Sequence, residues 1–125
     1  MTEADLINHP PHYRQHPSGI EAIEITRHLG FSLGNAVKYV MRAAHKGDRA
    51  QDLGKAAWYL ADCIDSGPCR SGAVPDKAMW RLLAAAVAEP DPVVAHIYSC
   101  IAIGDIGTAE LTLRVHQRHV EDGIA

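Results

Sequence analysis

Cysteine is scarce in this chain and oddly counted. Cys63, Cys69 and Cys100 form no CxxC pair, so neither a disulfide framework nor a structural zinc knuckle is expected. No stretch approaches the roughly 18 consecutive apolar residues of a membrane-spanning helix. The opening MTEADLINHPP lacks the apolar centre of a secretory signal. An excess of positive charge is also missing: 12 Lys and Arg stand against 15 Asp and Glu, a net charge of −3 with histidines neutral. That balance excludes a uniformly basic nucleic-acid binder, and no sequence-specific nucleic-acid or membrane partner is expected. A reducing cytoplasm is the natural home, and any anion site must be local. There are no internal repeats, no low-complexity tract and no nucleophile motif. Gly54-Lys55 superficially suits a phosphate loop, but Arg49 stands in place of the first glycine and Ala56 in place of the hydroxyl residue, which excludes one.

What is present is helical. The 125 residues, 47% hydrophobic and 22% charged, suit a single domain over 1–125 that buries about two-thirds of its unfolded surface. Residues 1–17, rich in Pro and His, read as an extended arm, because Pro10, Pro11 and Pro17 block a helix. Ser18 with Glu21 has capping-box spacing and predicts a helix ending near Gly30. Ser32 predicts the cap of a second helix running to about His45, closed by a KGD turn. A third is expected from about Arg49 to Asp65. SGPCRSGAVP reads as a linker, followed by helices in DKAMWRLLAAAVA and VVAHIYSCIAI. In TAELTLRVHQRHV, the LTLRV alternation suits a strand, while Ile106, Ala109, Leu113 and Val120 suit a helix. Helix is favoured because no second strand is visible to pair with it. The expected fold is all-α, a compact bundle of five or six short helices with an extended N-terminal arm.

Two helices divide sharply into faces. On the second, Leu33, Ala36, Val37, Val40 and Ala44 share one side, and Asn35, Lys38, Tyr39, Arg42 and Lys46 share the other. On the third, Leu53, Ala56, Ala57, Leu60 and Ile64 face inward, opposite Asp52, Lys55, Tyr59 and Asp62. A short turn between them gathers Lys38, Arg42 and Lys55 at one cleft, where Arg offers a bidentate fork and Lys a mobile charge to phosphate oxygens. Tyrosine or Trp58 is available to stack on a ring. The same spacing also suits solvated faces laced by weak ion pairs.

Glu21 and Glu24, with Asp62 and Asp65, form ExxE and DxxD pairs, the oxygen-rich kind of set that holds Mg²⁺. His9, His12 and His16 cluster in the arm, suited to a metal or a phosphate. His116 and His119 read as charges complementing a helix C-terminus.

The ordered motifs NHPxHY, GIExIE, LGNAVKYVxRAxxKG and DLxKAxWYL, across residues 8–65, resemble a small domain common in bacteriophage genomes, the phage nucleotide kinase-like family. Its best-known relative is a nucleotide kinase without a P-loop. The resemblance implies phosphoryl transfer from a nucleoside triphosphate, the donor cosubstrate, to a deoxynucleoside monophosphate, in the host cytoplasm if the chain is phage-encoded. Mg²⁺ is compatible with that chemistry but not required by the motifs. Carried onto this chain, it implies catalytic work for Glu21, Glu24, Lys38 and Arg42. It implies substrate binding by His9, His12, Tyr13, Asn35, Tyr39, Lys46, Lys55 and Tyr59. Leu53 and Gly34 fall in the motifs as packing positions. Residues 70–125 carry no family pattern; they complete the fold, build a homo-oligomer or set substrate choice.

Two other functions fit the same residues. A nucleotide-sequestering protein acting against host defence signals needs the phosphate cradle without catalytic acids. A Mg²⁺-dependent all-α nucleoside triphosphate pyrophosphohydrolase needs the ExxE and DxxD carboxylates to hold metal and activate water.

Overall fold

The computed structural model describes residues 16–44, 48–66 and 74–124, and all regular structure among them is helical. Residues 1–15 of the N-terminal arm, the residues around Lys46 and most of the linker lie outside these ranges. Six helices follow one another: α1 Ala22–Thr26, α2 Phe31–Ala43, α3 Arg49–Ser66, α4 Asp76–Ala88, α5 Pro92–Ala102 and α6 Ile106–Glu121. No helix is long and apolar enough to cross a membrane among the described residues.

Helix starts differ from expectation where another partner, local or distant, claims the expected cap. Ser18 does not open α1. Its hydroxyl pairs with His16 Nδ1 at 2.7 Å and accepts from the Ile20 N–H, while Gly19 turns the chain at φ +76°, a conformation suited to glycine. The helix starts one turn later, where the Glu24 carboxylate accepts the Glu21 N–H at 3.1 Å. Ser32 does not cap α2 either. Gly30 holds that position, and the Ser32 hydroxyl reaches across to Asp62 on α3.

The other starts follow local chemistry. Asp48 accepts the Gln51 N–H at the head of α3. Asp91 caps α5 through Val93 and Val94, with Pro92 pre-set at the first helical position. Asp105 accepts from Thr108 to begin α6. LTLRV lies wholly inside α6, so the helical reading of this segment is the correct one.

The helices close into a ring. α1 packs on α2, α2 on α3, α3 on α6, α6 on α5, α5 on α4, and α4 returns to α1. One apolar cluster fills the centre, with Ile25, Val37, Leu53 and Leu60 meeting Leu82, Ile97, Ile101 and Leu113. Residues from both halves of the chain share this core, so the second half supplies the layer that buries the inner faces of α2 and α3. Truncating a fully buried leucine such as Leu60 costs about 2–5 kcal/mol in such a core. Cys63, on the inner side of α3, is disulfide-bonded and Cys100 is free.

Candidate functional site: the outer face of the α2–α3 hairpin

The apolar stripes of α2 and α3 pack face to face and against the core, which leaves their polar stripes side by side on the outside. Leu33, Ala36, Val37 and Val40 are buried as expected, whereas Ala44 is exposed at the end of α2. The outer face is then a ladder of pairs running along the antiparallel hairpin. At one end Ser32 donates to Asp62. Next comes Phe31 against Tyr59, ring centroids 5.9 Å apart and edge-on. Tyr39 and Tyr59 lie parallel in the middle, 6.0 Å apart with 8° between planes. Beyond them Arg42 meets Asp52.

The lysines converge on this ladder. Lys38 Nζ lies 5.2 Å from the centre of the Tyr39 ring and Lys55 Nζ lies 5.3 Å from it. One lysine comes from each helix, and both are within cation–π reach of a single ring. Neither forms an ion pair among the described residues. Trp58 is exposed and meets Tyr59 edge-on at 5.2 Å, extending the aromatic surface outward. Asn35 is tied down, its side-chain amide donating to the Phe31 carbonyl at 2.8 Å. A shallow cavity of about 190 Å³, lined by Phe31, Asn35, Lys38 and Gly34 among others, adjoins the face. Gly34 lies where α1 approaches α2, but an added methyl would meet the Thr26 carbonyl at 3.5 Å, an ordinary contact.

Asp52 departs from the expected pattern. Its charge suits the solvent face, yet its side chain is 6% exposed. It lies four residues before Ala56 and so shares the buried stripe. Arg42 Nε faces it at 3.8 Å, and the remaining 40% exposure of the Arg42 side chain keeps that cation in contact with solvent.

Of the expected site residues, Asn35, Lys38, Tyr39, Arg42, Lys55 and Tyr59 are brought together. Residues 7–61 match a family model described as a protein of unknown function (DUF3310). No curated protein and no solved structure matches the chain. The DUF3310 match spans α1, α2 and most of α3, so it includes every residue of the ladder except Asp62, and it names no activity. His9, His12, Tyr13 and Lys46 fall within the matched segment but outside the described residues.

The carboxylates do not join the ladder as a metal site. Glu24 serves the start of α1, and both Glu21 and Glu24 line a cleft toward Lys77 and Arg81 of α4. Asp62 accepts from Ser32 at the end of the hairpin. Among the described residues no group of three or more His, Cys, Asp or Glu side chains is placed to hold a metal. Glu21, Glu24, Asp62 and Asp65 therefore do not form the shared Mg²⁺ site that the ExxE and DxxD spacing suggested. The carboxylate cluster required by the pyrophosphohydrolase reading is not assembled.

A second polar cluster escaped the sequence reading. Arg49 Nη2 donates to Asp91 Oδ2 at 3.0 Å and contacts His116 Nε2 at 3.1 Å. A guanidinium can only donate, so Nε2 accepts and the His116 ring is neutral, its proton on Nδ1. His116 is 3% exposed. Burial holds its pKa below the usual 6.5, Arg49 and His119 push the same way, and Asp91 opposes them. It is an interior link between α3, α5 and α6, not a charge at a helix end. Its burial was legible, since position 116 falls on the stripe of Ala109, Leu113 and Val120. Its partners, 25 and 67 residues away, were not. His16, from the expected arm cluster, is also interior: its Nε2 lies 3.5 Å from Glu89 and its ring packs edge-on to Tyr98.

Proposed function

We propose that the outer face of the α2–α3 hairpin binds a nucleoside phosphate, and that the protein is a phage-type nucleotide kinase without a P-loop. The observation that carries the binding site is the convergence of Lys38 and Lys55, from two helices, on the Tyr39 ring stacked with Tyr59. Two ammonium groups held near one ring give a phosphate oxyanion two cations to pair with on the same face of the hairpin. Phe31, Tyr59 and Trp58 offer a base an aromatic surface of ring faces and edges alongside. Anion and ring are then bound by adjacent parts of one face, as a nucleotide requires.

In phosphoryl transfer, Lys38, Lys55 and Arg42 neutralise charge that spreads over the transferred group. Asp52 holds Arg42 from beneath. Transfer from a nucleoside triphosphate to a deoxynucleoside monophosphate is supported by the motif order in residues 8–65 rather than by the geometry. The test is direct: purified protein is incubated with triphosphate and each common deoxynucleoside monophosphate, with and without Mg²⁺, and diphosphate is measured. Diphosphate formation that falls in Lys38→Ala is expected. No diphosphate from any acceptor overturns the kinase.

A specific observation favours a second reading, nucleotide sequestration without turnover. The Glu24 carboxylate is engaged at the start of α1 and is not directed to the lysine face. Under this reading Lys38→Ala abolishes nucleotide binding in calorimetry, while Glu24→Gln leaves it unchanged. A protein that binds no nucleotide ends both readings. Self-association belongs to the same proposal, since exposed Trp80 and Val87 on α4 and Leu111 on α6 offer apolar contact to a second copy. Sedimentation that shows only monomer removes that part.

A further inference from the structure

On another part of the molecule, α1 and α4 border an open cleft of about 530 Å³ lined by Glu21, Glu24, Arg27, His28, Lys77 and Arg81. The three cations in it outnumber the two carboxylates, and both arginines are oriented by backbone carbonyls. Arg27 Nε donates to the Ile23 carbonyl at 3.2 Å, and Arg81 Nη1 donates to the Lys77 carbonyl at 2.8 Å. Each backbone bond fixes one edge of a guanidinium and leaves its other donors available. Glu24 points one oxygen back to the Glu21 N–H. Among the described residues no ion pair joins Arg27, Lys77 or Arg81 to a carboxylate.

We propose that this cleft is a second anion site, which takes a phosphomonoester dianion independently of the hairpin face. Three cations from two elements share the cleft with two carboxylates, and the Arg27, Lys77 and Arg81 donors not engaged by backbone carbonyls remain available to the oxygens of a phosphate. Two guanidinium groups suit the tetrahedral oxygens through paired N–H donors. The volume admits a phosphate with a small carbon skeleton attached. His28 reports the positive field: its pKa lies below 6.5 through partial loss of water and through Arg81, Lys77 and Arg27.

The test uses inorganic phosphate and glycerol 3-phosphate as probes, titrated calorimetrically at constant ionic strength set by chloride. Binding is expected in the wild-type protein and in Lys38→Ala/Lys55→Ala. It is expected to weaken by roughly tenfold or more in Lys77→Ala/Arg81→Ala, with Lys77→Gln alone as the milder variant should the double one not fold. In parallel, the His28 ring protons followed by NMR should titrate at higher pH when phosphate is present. Absence of binding to the wild type overturns the site. So does affinity unchanged in both the Lys77→Ala/Arg81→Ala and Lys77→Gln variants, or affinity lost only in Lys38→Ala/Lys55→Ala. None of these results bears on nucleotide binding at the hairpin.

Discussion

Arg42 Nε stands 3.8 Å from Asp52 Oδ2, and both atoms are buried without a hydrogen bond. Such a pair is expensive to keep, because desolvation is incurred and the compensating hydrogen bond is not made. Its position, one step along the ladder from Lys38 and Lys55, suits a role at the proposed site better than a stabilising one. Asp52 fixes a cation at the edge of the proposed phosphate site. The double replacement Arg42→Leu/Asp52→Leu is therefore expected to leave stability unchanged or raised by about 1 kcal/mol, and to weaken nucleotide binding. Asp52→Asn alone should cost about 1–2 kcal/mol, less than for a fully buried pair because Arg42 retains water. Urea denaturation and calorimetry on the same variants separate the two effects. A double variant that binds nucleotide as well as wild type removes Arg42 from the site.

Lys38 and Lys55 form no ion pair among the described residues, so their truncation separates binding from folding. Lys38→Ala and Lys55→Ala are each expected to shift unfolding free energy by no more than about 0.5 kcal/mol. Each should weaken nucleotide affinity about tenfold or more, in line with the loss of a charge-assisted contact to phosphate. Tyr59→Leu keeps the apolar bulk but loses the parallel ring pair, and should weaken nucleotides more than inorganic phosphate. Equal losses for both ligands would show that no base stacks there.

Gly54 faces α6 inside α3, and a methyl group there would meet Gln117 Nε2 at 2.6 Å. The obstructing atom is the far end of a flexible side chain, so rotating Gln117 removes the clash. Alanine in a helix interior is better than glycine by about 1 kcal/mol. Gly54→Ala is thus expected to stabilise by about 0.5 kcal/mol after Gln117 moves, whereas Gly54→Val should destabilise. The denaturant midpoints of the two variants, compared at equal m-value, decide this. Destabilisation by Ala would mean that Gln117 is held more firmly than its exposure suggests.

Why parts of this architecture were legible from residues alone, and others not, follows from the range of the forces involved. The inner stripes of α2 and α3 repeat every three or four residues, so Leu33, Val37, Val40, Leu53 and Leu60 declared themselves. The outer stripe of Lys38, Tyr39, Lys55 and Tyr59 followed as their complement. Asp52 and His116 sit on buried stripes too, but polarity alone suggests the surface, and only a distant partner makes burial tolerable. Ser18 and Ser32 carry good capping chemistry, yet His16, two residues away, engages the first hydroxyl and Asp62, across the hairpin, the second. ExxE and DxxD gave the correct local spacing and the wrong assembly, because spacing along a helix does not determine which faces meet.

His116 gives the fold a pH dependence whose sign follows from its surroundings. Its folded-state pKa is lowered from 6.5, chiefly by burial, so the unfolded chain binds the proton more readily. Stability from this residue is fully present above the unfolded value and is lost as pH falls from about 6.5 toward the lower folded value. Protonation would also place a second cation against Arg49 and break the acceptor role of Nε2. His28 has the same sign, but its partial exposure makes it the weaker contributor. The urea midpoint is expected to drop between pH 7.5 and pH 5.5, and His116→Gln should flatten most of that slope while lowering stability at pH 7.5. If the slope survives His116→Gln and vanishes in His28→Gln, the Arg49–Asp91–His116 link is not the source.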